Sequence, residues 1–286
     1  MANNSSWNDE FYANFVTDAE FAAYETSVSR QLARVFTIPM NAGKIAQVPI
    51  WGQGSAQQIT DESAASARDT TSTQATITMI EHVYYSQVTD MLRDSAYGDV
   101  MAQLAEVSGR AIGESIDTLA FSKFSSFNSD IGSTTTELTT ELILKAAATL
   151  RAAKVMGPYY AVVHPNQAYY MKKTLTQVLP YSAATGLANP SNLGNQVMIS
   201  GVIGSVGGVT VVESPLVAAV STGGATAYRA GVFASTGLGI AERGGLNLST
   251  LYLPASRATD MSLSAVMGAG VLQSTHGVAI TAEGTL

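Results

Sequence analysis

The 286-residue sequence contains no cysteine and few charged residues. The lack of cysteine excludes disulfide bonds, thiolate metal sites and a cysteine nucleophile, and leaves the redox compartment undetermined. Charged residues make up 13% of the chain, about half of the roughly 25% typical of soluble domains. Interface cores are depleted in charge. So little charge, beside 46% hydrophobic residues, therefore indicates a surface that is largely covered by other subunits.

Positive charge and long apolar runs are also scarce. The net charge is −7 at pH 7, so no basic stripe is available to hold phosphates and nucleic-acid affinity should be weak. No apolar run approaches the roughly 20 residues that span a bilayer. The first ten residues are polar and acidic, unlike a signal peptide. We therefore expect no membrane association and a cytosolic protein.

The residues between Ile45 and Val88 form two β-like arms around a polar, low-complexity tip. The arms, Ile45–Trp51 and Ala75–Val88, are rich in β-branched and aromatic residues. In the tip, Gly52–Gln74, Ile59 is the only large apolar side chain. A loop of this length is uncommon inside a compact domain, and an isolated hairpin is marginal in water. We expect the hairpin to pack on another copy of the chain; a disordered surface loop is the alternative.

A long helix is predicted after the hairpin, with Asp94 or Ser95 as N-cap. Gly109 and Gly113 lie four residues apart in it, which favours a close backbone approach or a tolerated kink. An apolar stripe at helical spacing predicts its buried face, so we expect Val107→Asp to bury a charge and unfold the subunit. The stripe consists of Val100, Leu104, Val107 and Ala111, continued by Ile112, Ile116 and Leu119.

The rest of the chain reads as mixed helix and strand. Residues 1–43 carry spaced aromatic anchors and predict an arm that packs on something else, with 20–36 partly helical. The middle predicts a helix, a buried strand, a second helix, a long polar loop and two strands, and the C-terminal part predicts three strands. These segments are Thr140–Val155, Tyr159–Val163, Pro165–Leu175, Pro180–Gln196, Val197–Val206, Val209–Glu213, Leu246–Leu253, Met261–Val271 and Thr275–Ala282.

No motif predicts catalysis, a metal or a cofactor. His82, His164 and His276 are far apart and lack metal-ligand spacing. Gly204–Gly207 resembles a nucleophile elbow but has isoleucine before the first glycine, where the motif requires glycine. Gly43-Lys44 lacks the upstream glycine of a phosphate-binding loop. An enzyme with an unrecognised site remains the remote alternative.

This order of elements resembles the major capsid proteins of tailed double-stranded DNA phages, which have the Hong Kong 97-like fold. The resemblance covers nearly the whole chain and is most specific at Ser95–Lys123, Ala161–Pro165 and Gly204–Pro215. It implies an α+β fold with an N-terminal arm, an extended hairpin called the E-loop, a spine helix in a peripheral P-domain and an axial A-domain. The implied division is 1–44 (arm), 45–88 (E-loop), 89–137 with 244–286 (P-domain) and 138–243 (A-domain).

The resemblance also implies which residues meet neighbouring subunits. The tip of the A-domain, near Ser221–Ala225, would line the centre of each ring of subunits, and the acidic tip of the hairpin would be solvated or face a neighbour's basic group. The residues predicted at subunit interfaces are Trp51, Ile59, Asp61, Glu62, Arg68, Asp69, Gly109, Gly113, Thr222, Gly223 and Gly224.

Two departures from related capsid proteins shape the expected partners. No lysine lies between Lys44 and Lys123, so the hairpin cannot supply one for a covalent cross-link, and the shell should be noncovalent, with a possible cement or decoration protein. The arm begins close to Met1, which implies a separate scaffolding protein or none. We expect pentamers and hexamers, a portal, weakly contacted DNA, and assembly of the virion in the bacterial cytoplasm. An encapsulin-type nanocompartment is the alternative.

The net charge of −7 predicts weak, unselective binding to duplex DNA. In a gel-shift experiment at physiological salt, the nuclease-treated protein should barely retard the duplex. Submicromolar binding would contradict this reading of the electrostatics.

Overall fold

The computed structural model describes most of the chain. The described residues are 5–41, 43–52, 54, 56–59, 61, 64, 66–67, 72–95, 100–177, 204–222 and 225–285, with the backbone alone for 5–13, 174–177, 221–222 and 225. The predicted loop Pro180–Gln196 lies outside the described residues, as does most of the predicted strand Val197–Val206.

The α-helices of the described chain lie before residue 178, and strands predominate after it. The helices are α1 Ser5–Thr26, α2 Ser29–Leu32, α3 Asp90–Ser95, α4 Val100–Ser122, α5 Thr140–Ala152 and α6 Pro165–Gln177, with short 3₁₀ turns at Lys123–Ser126 and Ser274–His276. The strands are β1 Arg34–Ile38, β2 Ile45–Trp51, β3 Ser72–Thr78, β4 Ile80–Thr89, β5 Ser129–Gly132, β6 Tyr159–Val163, β7 Ser205–Val206, β8 Val209–Glu213, β9 Ala219–Thr222, β10 Ala225–Ala234, β11 Leu238–Leu253, β12 Ala258–Val271 and β13 Gly277–Glu283.

The described strands form two large sheets and one hairpin, which confirms the predicted α+β class. The four-stranded sheet has the order β1-β11-β12-β4, with β1 parallel to β11 and the other neighbours antiparallel. The seven-stranded sheet has the order β5-β13-β10-β6-β8-β7, and β9 pairs with β10. The hairpin pairs β2 with β3.

The four-stranded sheet buries one face under α4. Alternate residues of β12, such as Leu263 and Met267, are buried in one core cluster with Ile112, Ile116 and Phe121 of α4. Side chains alternate between the faces of a strand, so the intervening residues of β12 point to the other face. That second face is only partly covered within the chain.

The seven-stranded sheet has its own core. Val163 of β6, Val232 of β10 and Ile280 of β13 are buried there with Leu150 of α5 and Met171 of α6. The predicted strand at 159–163 is confirmed residue for residue, and the predicted helix at 140–155 ends at Ala152.

The N-terminal segment begins with a 22-residue helix, whereas the prediction was an arm in which only 20–36 is partly helical. α1 lies against α4 where alanines meet glycines: a Cβ on Gly113 would stand 2.9 Å from the carbonyl oxygen of Ala23, and one on Gly109 would collide with that of Ala19. The close backbone approach predicted at these glycines is therefore present. Sequence reasoning missed α1 because its contact face is built from small residues, which give a weak apolar signal.

A buried carboxylate fixes the residues that follow α1. Asp117 of α4 is 1% exposed. It accepts hydrogen bonds from the Ser27 hydroxyl (2.8 Å), from the Val28 and Ser29 backbone N–H groups (2.8 and 3.1 Å) and from the Ser29 hydroxyl. Because buried charges are costly unless hydrogen bonded, these donors keep the carboxylate in place and hold the start of α2 on α4.

The return arm of the hairpin is not a single strand. The prediction treated Ala75–Val88 as one arm, whereas the strand breaks at Met79. β3 pairs with β2 in the hairpin, and β4 turns away to pair with β12 in the four-stranded sheet. The run has no glycine or proline at the break, so its composition gave no signal for one.

The predicted apolar stripe of the long helix was wrong at Val107, although Val100 and Leu104 pack against the core. Val107 is 53% exposed, whereas Ala105, Ser108 and Gly109 are buried. The buried face carries small residues there because α1 packs closely against it. The second half of the stripe holds, since Ile112 and Ile116 are buried.

The sheets join residues from different predicted domains. β5 and β13, which the division placed in the P-domain, pair in the seven-stranded sheet beside β10. The boundary at 243/244 falls inside β11, at a register shift between Arg243 and Asn247. The domain division stays a prediction.

The exposures of Val107 and Ile116 predict opposite outcomes for the same substitution. Val107→Asp should change the free energy of unfolding by no more than about 0.5 kcal/mol, since the carboxylate stays in water. Ile116 is 0% exposed, so Ile116→Asp should destabilise the subunit by more than about 4 kcal/mol or prevent folding. Chemical denaturation measures both. A large destabilisation by Val107→Asp would contradict the packing of α4.

Candidate subunit interface

The base of the hairpin packs on its own chain. Ala46 of β2, Ile77 of β3 and Met79 are buried with Ala241 of β11 in a small core cluster. A Cβ on Gly268 of β12 would collide with the carbonyl oxygen of Thr78. The glycine therefore lets the hairpin rest directly on the backbone of the sheet.

Beyond this base, the hairpin leaves the core. Its outward face carries Ile45 and Trp51, and Trp51 is 67% exposed. Every described residue from Trp51 to Gln74 is exposed. This agrees with the expectation that the tip adds no apolar area to its own chain's core.

The predicted interface residues of the tip fall into two groups. Ile59 and Asp61 are exposed, consistent with a surface that is free to meet a partner. Glu62, Arg68 and Asp69 lie outside the described residues. Their role at a subunit interface stays a prediction.

The other predicted interface residues belong to different segments of the chain. Thr222 ends β9 and pairs with Ala225 of β10, while Gly223 and Gly224 lie outside the described residues. Gly109 and Gly113 are buried against α1 of the same chain. Their partner within the subunit is therefore α1, and the subunit-interface role assigned to them stays a prediction.

A second exposed surface was missed by the sequence reasoning. On the face of the four-stranded sheet opposite α4, Val83 and Tyr85 of β4 are 55% and 61% exposed. They pair across the sheet with Ser264 and Ser262 of β12, and the Tyr85 hydroxyl hydrogen bonds to Asp260, which raises the pKa of Tyr85. Alternation along β4 signalled this face, but the sequence analysis assigned β4 to the hairpin.

The histidines serve local contacts in the described chain. His82 Nδ1 lies 2.6 Å from the Ser115 hydroxyl, the His164 ring stacks on Tyr228 with 3.5 Å between centroids, and His276 Nδ1 lies 2.8 Å from the Thr236 hydroxyl. Burial lowers the pKa of all three, which favours neutral rings at neutral pH. Among the described residues, no three acidic or histidine side chains are grouped to hold a metal.

One partly buried ion pair joins the N-terminal segment to the sheet. Arg30 Nη2 of α2 lies 2.9 Å from Glu242 Oε1 of β11, and the Arg30 guanidinium also covers the ring of Tyr24. Burial raises the pKa of Glu242, and the charge of Arg30 opposes that rise. This pair lines a small cavity of about 30 Å³. Its role is structural, since it ties α2 to β11.

Within the described part of the chain, none of the helices has the length and apolarity to cross a membrane.

Comparisons with known proteins connect this arrangement to capsids. The family model for phage capsid protein matches residues 58–279. The structure is similar to the head of Helicobacter pylori bacteriophage KHP40, with a TM-score of 0.68, 10% identity and 91% of each chain covered. It is also similar to a Mycobacterium phage Che8 structure, with a TM-score of 0.63, 16% identity, and 83% of this chain and 84% of that chain covered. A search of curated proteins finds no match.

A virus-like particle from Pyrococcus furiosus is similar as well, with a TM-score of 0.60, 11% identity, and 94% of this chain and 98% of that chain covered. Identities this low establish a common fold and nothing further. The family model, in contrast, spans more than half of the chain, and it confirms the resemblance carried by the order of elements. The chain therefore belongs to the phage capsid protein family and is a structural capsid subunit with the Hong Kong 97-like fold.

Proposed function

We propose that the chain is the major capsid subunit of a tailed phage and self-assembles into an icosahedral head that encloses double-stranded DNA. The observation that carries the proposal is the hairpin, whose base belongs to the subunit core and whose distal part has no apolar partner among the described residues. In the assembled head, that distal part lies on the adjacent subunit.

The energy of assembly comes from many moderate apolar contacts. Trp51 on the hairpin and Tyr85 on the sheet remain more than half exposed in the single chain. Burying apolar area contributes about 25 cal/mol per Å², and obligate interfaces bury about 2,000–5,000 Å². No lysine lies between Lys44 and Lys123, so these contacts hold the shell without a covalent link from the hairpin.

The family match favours a phage head over a cargo-enclosing nanocompartment. It describes a phage capsid protein across residues 58–279, whereas the likeness to the Pyrococcus furiosus particle concerns the fold alone. The role is structural and involves no catalytic step.

The partners follow from the same reading. The subunit forms pentamers and hexamers, with a portal, and the absence of a hairpin lysine makes a cement or decoration protein a natural addition. Assembly takes place in the cytoplasm of the bacterial host. The net charge of −7 suits an inner wall from which packaged DNA must leave.

Self-assembly of the purified protein tests the proposal. After nuclease treatment, light scattering and negative-stain microscopy should show rings or closed shells at tens of micromolar protein. A stable monomer under these conditions would overturn the proposed function.

Shortening the hairpin should separate folding from assembly. Trp51 pairs with Ser72, so a two-residue Asn-Gly turn in place of residues 52–71 closes the hairpin in register. The thermal midpoint should stay nearly unchanged, because the described tip residues are exposed and a shorter loop costs less closure entropy. Shell formation should be lost.

A tip of equal length made of glycine and serine is the matched control. It should also fail to assemble if the side chains of the tip make the contact. Normal shells from the shortened variant would show that the hairpin is not an arm between subunits.

A further inference from the structure

We propose that the C-terminal half of α5 and the residues after it, 145–156, form the surface that receives the acidic hairpin tip of a second copy of this chain. This surface is called the α5 patch below. The inference rests on the proposed function, because it names the place on the neighbour where the hairpin docks.

The α5 patch is a basic surface on an acidic protein. Residues 145–154 contain Lys145, Arg151 and Lys154 and no carboxylate, and all three cations are exposed. None of them has an ion-pair partner among the described residues. Arg151 is held in place, since its Nη2 donates a 2.7 Å hydrogen bond to the carbonyl oxygen of Gly207.

Apolar side chains accompany these charges. Met156 is 88% exposed, and Leu144 on the same exposed side of α5 as Arg151 is 45% exposed. Leu144 and Arg151 both reach the turn at Gly207 and Gly208. The α5 patch thus presents fixed positive charge beside apolar area that the chain itself leaves in water.

The hairpin tip is the complementary segment. Its sequence, from Gly52 to Thr71, holds three carboxylates, Asp61, Glu62 and Asp69, against one cation, Arg68. Ile59 and Asp61 are exposed. The tip therefore offers negative charge beside one large apolar side chain. The α5 patch offers the opposite charge, also beside apolar side chains.

Other described surfaces suit an acidic tip less well. The exposed face of β4 and β12 carries Glu81 and Asp260, which would repel it. Lys172 and Lys173 of α6 are already paired, with Glu213 at 2.7 Å and Glu137 at 3.4 Å. Juxtaposed like charges disfavour a contact and opposite charges select it, so the α5 patch suits the tip better than either of these two surfaces.

The receiver belongs to another subunit rather than to the same one. α5 packs on the seven-stranded sheet, whereas the hairpin base packs on the four-stranded sheet. The described tip residues are all exposed, so they do not lie on α5 of their own chain. Cations near a helix C-terminus also stabilise that helix, and the test must separate this effect from docking.

Charge exchange between the two surfaces provides that test. The patch variant carries Lys145→Glu and Lys154→Asp, the latter because aspartate tolerates the left-handed backbone that Lys154 adopts, with φ +58°. The tip variant carries Asp61→Lys and Glu62→Lys. A third protein combines all four changes, and Lys44→Glu with Lys123→Glu matches the patch variant in net charge.

The concentration at which shells form, measured by light scattering, should rise at least tenfold in the patch variant and in the tip variant. It should return to near the wild-type value in the combined protein, because the attraction is restored with its signs exchanged. The charge-matched control should assemble like the wild type. Thermal unfolding of each variant shows whether its subunit is folded.

The outcomes separate this inference from the proposed function. If the wild type does not assemble, the capsid role itself is overturned. If the wild type assembles and the folded patch variant assembles equally well, the α5 patch is not the receiver. Failure of the folded combined protein to recover would also overturn the direct pairing of tip and patch.

Discussion

One buried carboxylate fixes the N-terminal segment on α4, and that segment leads to the strand beside the base of the hairpin. Asp117 accepts four hydrogen bonds from residues 27–29, and these residues lead through α2 directly into β1. β1 pairs with β11, and its Phe36 and Ile38 pack against the cluster under the hairpin base. The strand that flanks the hairpin base is therefore anchored by a polar contact made inside the subunit.

The separation of the cores from the exposed apolar side chains explains how a chain with so little charge can fold as a single subunit. Two separate cores, one per sheet, account for the subunit's own stability. Several apolar side chains stay exposed, among them Trp51 on the hairpin, Tyr85 on β4 and Met156 after α5, and they add little to either core. Because these two functions use different residues, the subunit can fold first and associate later.

Much of this could be predicted from the sequence, and the failures have specific physical causes. The hairpin and the strand at Tyr159–Val163 were readable because alternation and β-branched residues signal strands directly. α1 and the true buried face of α4 were not, because small residues such as Ala19 and Gly109 carry close packing without an apolar signal. In the sequence, Asp117 looks like a surface carboxylate, because the residues that donate hydrogen bonds to it come close only in the folded chain. The charge of the hairpin tip was visible from the sequence, but the surface that it meets depends on tertiary structure.

The hairpin contacts the core at its base, near Gly268, and extends away from it. The base is a small contact, formed by the buried side chains of Ile77 and Met79 and by backbone over Gly268, so any rotation there moves the distal strands with it. A strand rises about 3.4 Å per residue, so a rotation of about 10° displaces the far end of a seven-residue strand by roughly 4 Å. A small change of angle at the base is thus amplified toward the tip while both sheets stay as they are.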